Sequence, residues 1–524
     1  MGPAIDERMV SQDAPLRPSA MPTAPGFLAR QLASPLAWVA LLSLLLSGIF
    51  FDAFIYDVLT YHGPFAAVAT GLPRLSLYGM SEFMEHRFQG FPALWRWMLA
   101  PGLGLGLPRV MGVPNLLALL ALVGAGVRCL RLPWRVGLAV ALIYPIALFS
   151  FRSAYQDFFV GALTSAGILL VISAIGQWRE TGQGAGSAWL AVPLLVASSL
   201  TKYQGLFQAV LGLALATGVV LALGWRRGRE AETWWRGPLP ALVVALVLCG
   251  LHPLHNLLTL HNPFFPIAVG PFSGPEIKGS DEIPAYTAAL APFHTFLNHW
   301  LSATEFDWVA RGVVPSYNID QGRAQTQYGG LIDPRAVTGL VRSGGSFGPT
   351  YLAAMGAYAV AFSQALGEWR RERRPSREGW AVLTVAPFLL LAAGFPQSHE
   401  LRYYLALLIL PTLTALGWGW QHWRRRWIEA ALVLALSVSM LLNFIQPLHS
   451  TLKGIAAGRG LSYAIDYPVR DLPTAQACLR QARHRQGPGD TLELPTGMAF
   501  ACRMQLPARF RIIEGEASPS LTVP

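Results

Sequence analysis

The chain has 524 residues, of which 53% are hydrophobic and only 13% are charged, and its mean hydropathy is +0.40. Soluble domains contain about 25% charged residues, so this composition excludes an ordinary soluble protein and predicts an integral membrane protein. The formal net charge of +11 is explained by arginines between apolar segments, because cytoplasmic loops of membrane proteins are enriched in Lys and Arg. No basic groove interleaved with aromatic residues accompanies this charge, so we expect no nucleic-acid partner.

The first 35 residues are polar, rich in proline and mixed in charge, which predicts a disordered cytoplasmic tail over 1–35. The apolar run that follows has no small-residue cleavage site after it, so we interpret it as an uncleaved anchor. Some later runs are shorter than a full span, which favours tilted or broken helices around a cavity. The sequence predicts an all-α polytopic membrane protein whose membrane domain, 36–446, has about 11 transmembrane helices, at 36–51, 110–127, 136–151, 158–176, 187–201, 205–223, 238–257, 347–366, 379–394, 402–420 and 427–446.

Arginine is concentrated in one set of loops, and such loops face the cytoplasm. They lie around 128–135, 179, 226–236, 370–377 and 424–426. The other loops then face outward, into the periplasm if the membrane is a bacterial inner membrane, and the N-terminus is cytoplasmic. The outer side has three large parts, which are the loops 52–109 and 258–346 and the C-terminal tail or small domain 447–524.

The four cysteines fit this arrangement. Cys129 and Cys249 lie in or beside predicted helices, where we expect them to pack in the interior. Cys478 and Cys502 lie in the outer tail, where an oxidising compartment permits a disulfide. Two free thiols are the alternative for this second pair.

Charged and polar side chains recur on the outer face, at the ends of different predicted helices. Both signs are present, which a set of isolated lipid anchors would not need. A carboxylate at this depth can accept a proton from a hydroxyl that becomes a nucleophile, while Lys and Arg can hold a phosphate and stabilise its developing charge. The candidates are Asp52, Asp57, His62, Arg152, Asp157, Lys202 and Arg402.

Six segments in order resemble the glycosyltransferase C (GT-C) superfamily, especially its bacterial branches related to protein O-mannosyltransferases and aminoarabinose transferases. The resemblance covers roughly residues 36–420 and leaves the tail outside. YDVLTYHGP is similar to the first outer-loop motif, and SAYQDFFVGAL to the second acidic motif. The other matching segments are FPALWRWMLAPG, LTKYQGL, HNLLTLHNPFFP and LRYYLALLILP.

This resemblance implies a GT-C-like helical bundle that uses a polyprenyl-phosphate-linked sugar donor on the periplasmic face, with inversion. It implies that Asp57 is the catalytic base and that Asp157 helps to bind the acceptor or a metal, so a divalent cation is an open cofactor prediction. Lys202 and Arg402 are then the candidates for the donor phosphate, and His62 is a further candidate for contact with the acceptor or the phosphate. Tyr61 and Arg152 complete the predicted substrate-binding set. The acceptor, a lipid, a glycan or a protein, stays open.

The choice between the two aspartates of the first loop stays open as well. Asp52 lies five residues before Asp57, which is about 140° of rotation along a helix, so the two would not share a face. Asp57 and Tyr61 are four residues apart and would share one.

Each candidate also has a structural interpretation. Asp57 or Asp52 can cap a helix, Asp157 can form an ion pair with Arg152, and Lys202 or Arg402 can extend to the lipid headgroups. His252, His255 and His261, with His294 and His299, lack the spacing of a zinc site.

Three other function classes compete with the transferase. A transporter or flippase would place ionisable residues near the middle of the membrane and often contains internal repeats, neither of which is evident. A periplasmic-face polymerase or ligase would also use lipid-linked sugars. A non-catalytic scaffold would tolerate substitution of Asp57 and Lys202.

Overall fold

The computed structural model describes most of the membrane domain and parts of the outer segments. The description covers residues 32–51, 62–71, 78–79, 82–105, 107–226, 237–267, 271–275, 316–318, 323–325, 349–372, 375–392, 401–456, 491–495 and 511–515. The predicted cytoplasmic tail therefore lies almost wholly outside the described residues. So do Asp52, Asp57, Tyr61, Cys478 and Cys502.

The described chain is built mainly from α-helices, which confirms the predicted fold class. The first seven are α1 (Pro35–Ile49), α2 (Gly63–Ala69), α3 (Glu82–Gly90), α4 (Leu94–Gly104), α5 (Val113–Leu130), α6 (Trp134–Leu142) and α7 (Pro145–Phe151). The next four are α8 (Asp157–Thr181), α9 (Ala185–Ser199), α10 (Tyr203–Arg226) and α11 (Leu239–Leu260). The last four are α12 (Pro349–Glu372), α13 (Arg377–Ala392), α14 (Ala406–His422) and α15 (Arg425–Ala456). Two 3₁₀ turns, Pro108–Gly112 and Leu401–Tyr404, precede α5 and α14.

Helix α8 is the centre of the bundle. Its sequence is apolar on every side, and its membrane-crossing window is wholly buried, as expected for a helix surrounded by other helices. It packs against α5, α9, α10, α13 and α14. Because Gly161 has no Cβ, the chain at Leu405 can approach α8 closely. A Cβ on residue 161 would lie 2.5 Å from the Cβ of Leu405. Because α8 crosses the bundle, Asp157 at its start and Thr181 at its end lie on opposite sides.

The predicted count of about 11 spans is not confirmed by length and hydropathy. Among the described residues, four helices are long and apolar enough to cross a membrane, or up to five if one bent pair is a single span. The four are Arg109–Leu130, Asp157–Thr181, Tyr203–Trp225 and Leu239–Leu260. Helices α1 and α9 are shorter, with 15 residues each.

The predicted span 136–151 is wrong as a continuous helix. It is the bent pair α6 and α7, which meet at 97°. The cause is Pro145, since the residue before a proline is disfavoured in the helical region, and Tyr144 has ψ 124°. Side chains of α15 satisfy carbonyls at the break: Ser439 Oγ donates to Leu142 O at 3.0 Å and Asn443 Nδ2 to Pro145 O at 3.1 Å.

Short strands occur outside the helices. Strands β1 (Tyr78–Gly79), β4 (Thr491–Pro495) and β5 (Arg511–Gly515) form a parallel sheet in the order β1–β5–β4. Strands β2 (Ser316–Asn318) and β3 (Arg323–Gln325) form an antiparallel pair. The first sheet joins the segment 52–109, which the sequence predicts to be an outer loop, to the C-terminal tail, so these two segments meet on one side of the bundle.

Candidate functional site

An ion pair between Asp157 and Lys202 is the centre of the candidate site. Asp157 is the first residue of α8, and Lys202 lies in the turn between α9 and α10. Lys202 Nζ is 2.6 Å from Asp157 Oδ1, and the two side chains are 14% and 1% exposed. The start of a helix favours a carboxylate electrostatically, so the negative partner occupies the position that stabilises it best.

The ring of Tyr403 lies against the same ammonium group. Lys202 Nζ is 3.6 Å from the ring centroid, which is cation–π geometry. Tyr403 belongs to the 3₁₀ turn before α14, and Gln208 Nε2 of α10 donates to its backbone oxygen at 3.2 Å. Three chain segments distant in sequence thus meet at Lys202.

Arg402 is adjacent to Tyr403 in the same turn, which brings its backbone to the site. Its side chain lies outside the described part of the chain.

His62 precedes α2 and is buried. Burial lowers the pKa of His62 well below its usual value, and the positive charge of Lys202 lowers it further. His62 is therefore neutral near pH 7 and lies within electrostatic range of Lys202. Asp57 and Tyr61, the nearest predicted site residues in sequence, lie outside the described residues.

Arg152 is buried at the end of α7 and contacts a different set of groups. Its Nη1 donates to Phe50 O at 3.2 Å and its Nε to Asn443 Oδ1 at 3.4 Å. The guanidinium also lies over the rings of Phe149 and Phe444. Asp157 thus pairs with Lys202 rather than with Arg152, and these contacts attach the α7–α8 connection to α1 and α15.

A polar cluster that the sequence did not predict lies next to the turn that carries Lys202. The carbonyl of Gly90, at the end of α3, lies 2.7 Å from Tyr203 Oη, 2.9 Å from Asn256 Nδ2 and 2.9 Å from His252 Nε2. Tyr203 Oη is also 2.8 Å from Phe265 O and accepts from Asn256 Nδ2 at 2.9 Å. We call these residues the Gly90 cluster. It connects α10 and α11 to both predicted outer loops.

The sequence contained only a weak signal for this cluster. His252 and Asn256 lie one helical turn apart in HPLHNLLTLH, and this spacing alone does not show that both contact one carbonyl. Among the described residues, no group of three or more His, Cys, Asp or Glu side chains could hold a metal ion. His294 and His299 lie outside them. Cys129 and Cys249 are buried, as predicted.

Asn115 supports the site from the other side. It is fully buried near the start of α5, and its Nδ2 lies 3.0 Å from Ser150 O, 2.9 Å from Ser153 O and 3.2 Å from Tyr155 O. These carbonyls belong to the end of α7 and the segment that leads into Asp157. The amide of Asn115 therefore fixes the backbone segment before Asp157 and so positions the Asp157 carboxylate.

The Lys202 ammonium can donate to an anion while it keeps its hydrogen bond to Asp157. Lys202 has an ammonium with three donors, and Asp157 and Tyr403 fix its position. A phosphate that reaches this ammonium would meet a cation whose place is set before binding, so little ordering is needed.

No family model and no curated protein matches the sequence. Matches among solved structures include crystal structures of ArnT from Cupriavidus metallidurans, one bound to undecaprenyl phosphate and one in the apo state. Both are 14% identical to this chain, with TM-scores of 0.36 and 0.32. Each match covers 92% of this chain and 85% of the ArnT chain.

Proposed function

We propose that this protein is an inverting membrane glycosyltransferase. It moves a sugar from a polyprenyl-phosphate donor to a lipid, glycan or protein acceptor on the outer, periplasmic face of a bacterial inner membrane. The observation that supports this most strongly is the Asp157–Lys202 pair under the Tyr403 ring, because it is a positioned cation at the ends of membrane helices. The segments that build it, SAYQDFFVGAL, LTKYQGL and LRYYLALLILP, are among those that resemble the GT-C superfamily.

In this proposal Lys202 binds the donor phosphate. An acceptor oxygen attacks the anomeric carbon, the bond from that carbon to the phosphate oxygen breaks, and the departing phosphate gains negative charge. A fixed ammonium stabilises that charge more in the transition state than in the ground state, which is what accelerates the reaction. Arg402, in the turn beside Tyr403, is the second predicted phosphate ligand, and the lipid tail would lie between helices.

The proton of the acceptor hydroxyl goes to Asp57 in the same proposal. Asp157 is poorly placed to act as the base, because its Oδ1 already accepts a hydrogen bond from Lys202 Nζ at 2.6 Å. We therefore assign Asp157 the role of positioning Lys202 and keep Asp57 as the predicted base, with Asp52 as the alternative. Tyr61, four residues after Asp57, and neutral His62 are predicted to contact the acceptor. A divalent cation at the acidic motifs stays a prediction.

The decisive test compares cells that lack the gene with cells complemented by variants. Lipid extracts and envelope glycans are analysed by mass spectrometry. The variants are Asp57→Asn and Lys202→Gln, and the matched control is Arg370→Gln, which removes one positive charge from an exposed residue at the end of α12. We expect one lipid or glycan to lose a sugar without the gene, and only the wild type and Arg370→Gln to restore it.

A second assay separates transfer from transport. Purified protein in sealed proteoliposomes is incubated with lipid-linked sugars and with an envelope extract that supplies the acceptor, and released polyprenyl phosphate is measured. Release that depends on Lys202 supports a transferase, whereas movement of intact donor across the bilayer without release supports a flippase. Full activity of Asp57→Asn would refute the base assignment, and full activity of Lys202→Gln would refute the site.

A further inference from the structure

A pocket lies at the end of α8 opposite to Asp157. It is bordered by the C-terminal ends of α5 and α8 and by the N-terminal end of α13, and the empty space there, counted together with the open solvent at its mouth, is about 440 Å³. The 25 residues of α8 span about 37 Å, so this pocket and the Asp157–Lys202 pair are on opposite sides of the bundle. The Arg-rich loops of the predicted cytoplasmic side adjoin it.

Two guanidinium groups, those of Arg179 and Arg377, line the pocket. Arg377 Nη2 donates to Ser173 Oγ at 2.9 Å and to Arg128 O at 3.1 Å, which fixes the group in place. Its Nε and Nη1 have no hydrogen-bond partner among the described residues. Arg179 lies with its guanidinium 4.8 Å from the ring centroid of Trp380. Both arginines border the same space.

The lining also has apolar side chains, which we call the apolar wall. They are Leu130, Leu169, Ile172, Ala381 and Trp380. Glu180 is the one carboxylate among the lining residues, 4.0 Å from Arg179 Nη2, so the lining keeps a net positive charge. A free inorganic anion would gain nothing from contact with the apolar wall. An anionic phospholipid has acyl chains that can pack against this wall as well as a headgroup that can bind the arginines.

We propose that this pocket binds the phosphodiester headgroup of an anionic phospholipid from the cytoplasmic leaflet. Arg377 donates to the phosphate through Nε and Nη1, Arg179 adds the second positive charge, and the first methylenes of the acyl chains contact the apolar wall. Basic pockets between transmembrane helices on the cytoplasmic side are a recurrent type of lipid-headgroup site. The proposal does not depend on the transferase function, because it concerns the other face of the bundle.

The test measures lipid binding by the purified full-length protein. Native mass spectrometry in detergent counts bound phosphatidylglycerol and, as a zwitterionic comparison, phosphatidylcholine. We expect phosphatidylglycerol to bind preferentially and its affinity to fall about 10-fold in Arg377→Gln, as expected for loss of a charge-assisted hydrogen bond. The matched control Arg370→Gln removes an equal charge outside the pocket and should bind as the wild type does.

Two further variants keep the test valid if Arg377→Gln fails to fold. Gly176→Leu leaves all charges in place, and its Cβ would lie 3.7 Å from Trp380 Cδ1, so the backbone accepts a side chain that then fills the pocket. It should also abolish preferential binding. Glu180→Gln removes the opposing carboxylate and should tighten binding. Equal binding by all variants would overturn the proposal, and so would competition by millimolar inorganic phosphate as strong as that by phosphatidylglycerol, because the site would then be a free-anion site.

Discussion

Lys202 Nζ lies 2.6 Å from Asp157 Oδ1 in a place where the carboxylate is almost completely buried. Removing one partner of a buried ion pair leaves an uncompensated charge, which costs about 3–5 kcal/mol. We therefore expect Asp157→Asn to lower the thermal unfolding midpoint in detergent strongly and to abolish transfer. The measurement is unfolding followed by intrinsic fluorescence.

The double variant Asp157→Asn/Lys202→Gln separates the charge effect from the loss of a hydrogen bond. It should be more stable than Asp157→Asn alone, because neither charge is left unpaired, yet it should remain inactive. Glu180→Gln is the matched control, since Glu180 is half exposed and 4.0 Å from Arg179 and such a pair contributes little. A double variant less stable than both single variants would contradict this account.

Sequence patterns identified much of the fold and part of the site, for reasons that differ between elements. Hydropathy located the helices because each must be apolar where it meets lipid or other helices. It could not predict the bend between α6 and α7, because the two helices together form one uninterrupted apolar run. The break at Pro145 also depends on α15, whose side chains donate hydrogen bonds to the carbonyls of Leu142 and Pro145. Asp157 and Lys202 were both identified as unusual charges at helix ends.

The partner of Asp157 was not predictable from the sequence. Arg152 is the nearer cation along the chain, but the structure turns it toward Phe50 and Asn443, while Lys202 approaches from a different helix pair. Tyr403, Asn115 and the Gly90 cluster were missed for a related reason. An uncharged residue next to a motif has no distinctive pattern until long-range packing shows what it contacts.

Gly90 is a second position where a small change should have a large effect. A Cβ on this residue would lie 2.2 Å from Phe265 O, which is backbone and cannot move aside. We expect Gly90→Ala to separate the two outer loops, lower the thermal unfolding midpoint and reduce transfer, because Tyr203 in the same cluster follows Lys202 directly. Gly124→Ala is the control, since a Cβ there meets nothing within 4 Å. An effect no larger than that of the control would show that the cluster does not hold the turn.

Asn115 tests whether the backbone before Asp157 must be held. Asn115→Leu keeps a similar volume but removes the donor shared by the carbonyls of Ser150, Ser153 and Tyr155. A buried acceptor without a partner costs about 1–3 kcal/mol, so we expect clear destabilisation in thermal unfolding and loss of transfer. Thr181→Val, at the exposed far end of α8, removes only local bonds and should change neither. Unchanged activity in Asn115→Leu would mean that the segment holds its shape without the amide.

His62 predicts a dependence of stability on pH. Because burial lowers its pKa well below the usual value, the folded protein keeps the imidazole neutral while the unfolded chain takes up a proton below about pH 6.5. The unfolded state then binds more protons, so this group makes the protein less stable as the pH falls from about 6.5 toward the lowered pKa. His62→Gln should unfold with a flatter pH dependence in this range, and exposed His255→Gln should not. An equal slope in His62→Gln and the wild type would contradict the assignment.

Tyr403 shows whether the position of the Lys202 ammonium matters for the reaction. A cation 3.6 Å from an aromatic ring in a sheltered site is stabilised by about 1–2 kcal/mol, and the ring also restricts where the ammonium can go. Tyr403→Phe keeps the ring and should retain transfer within about twofold, whereas Tyr403→Leu should raise the KM for the lipid-linked donor by about 5- to 30-fold. Steady-state kinetics in nanodiscs measure both. If the two variants lose activity equally, the phenol hydroxyl rather than the ring is required, and if neither does, Asp157 alone positions Lys202.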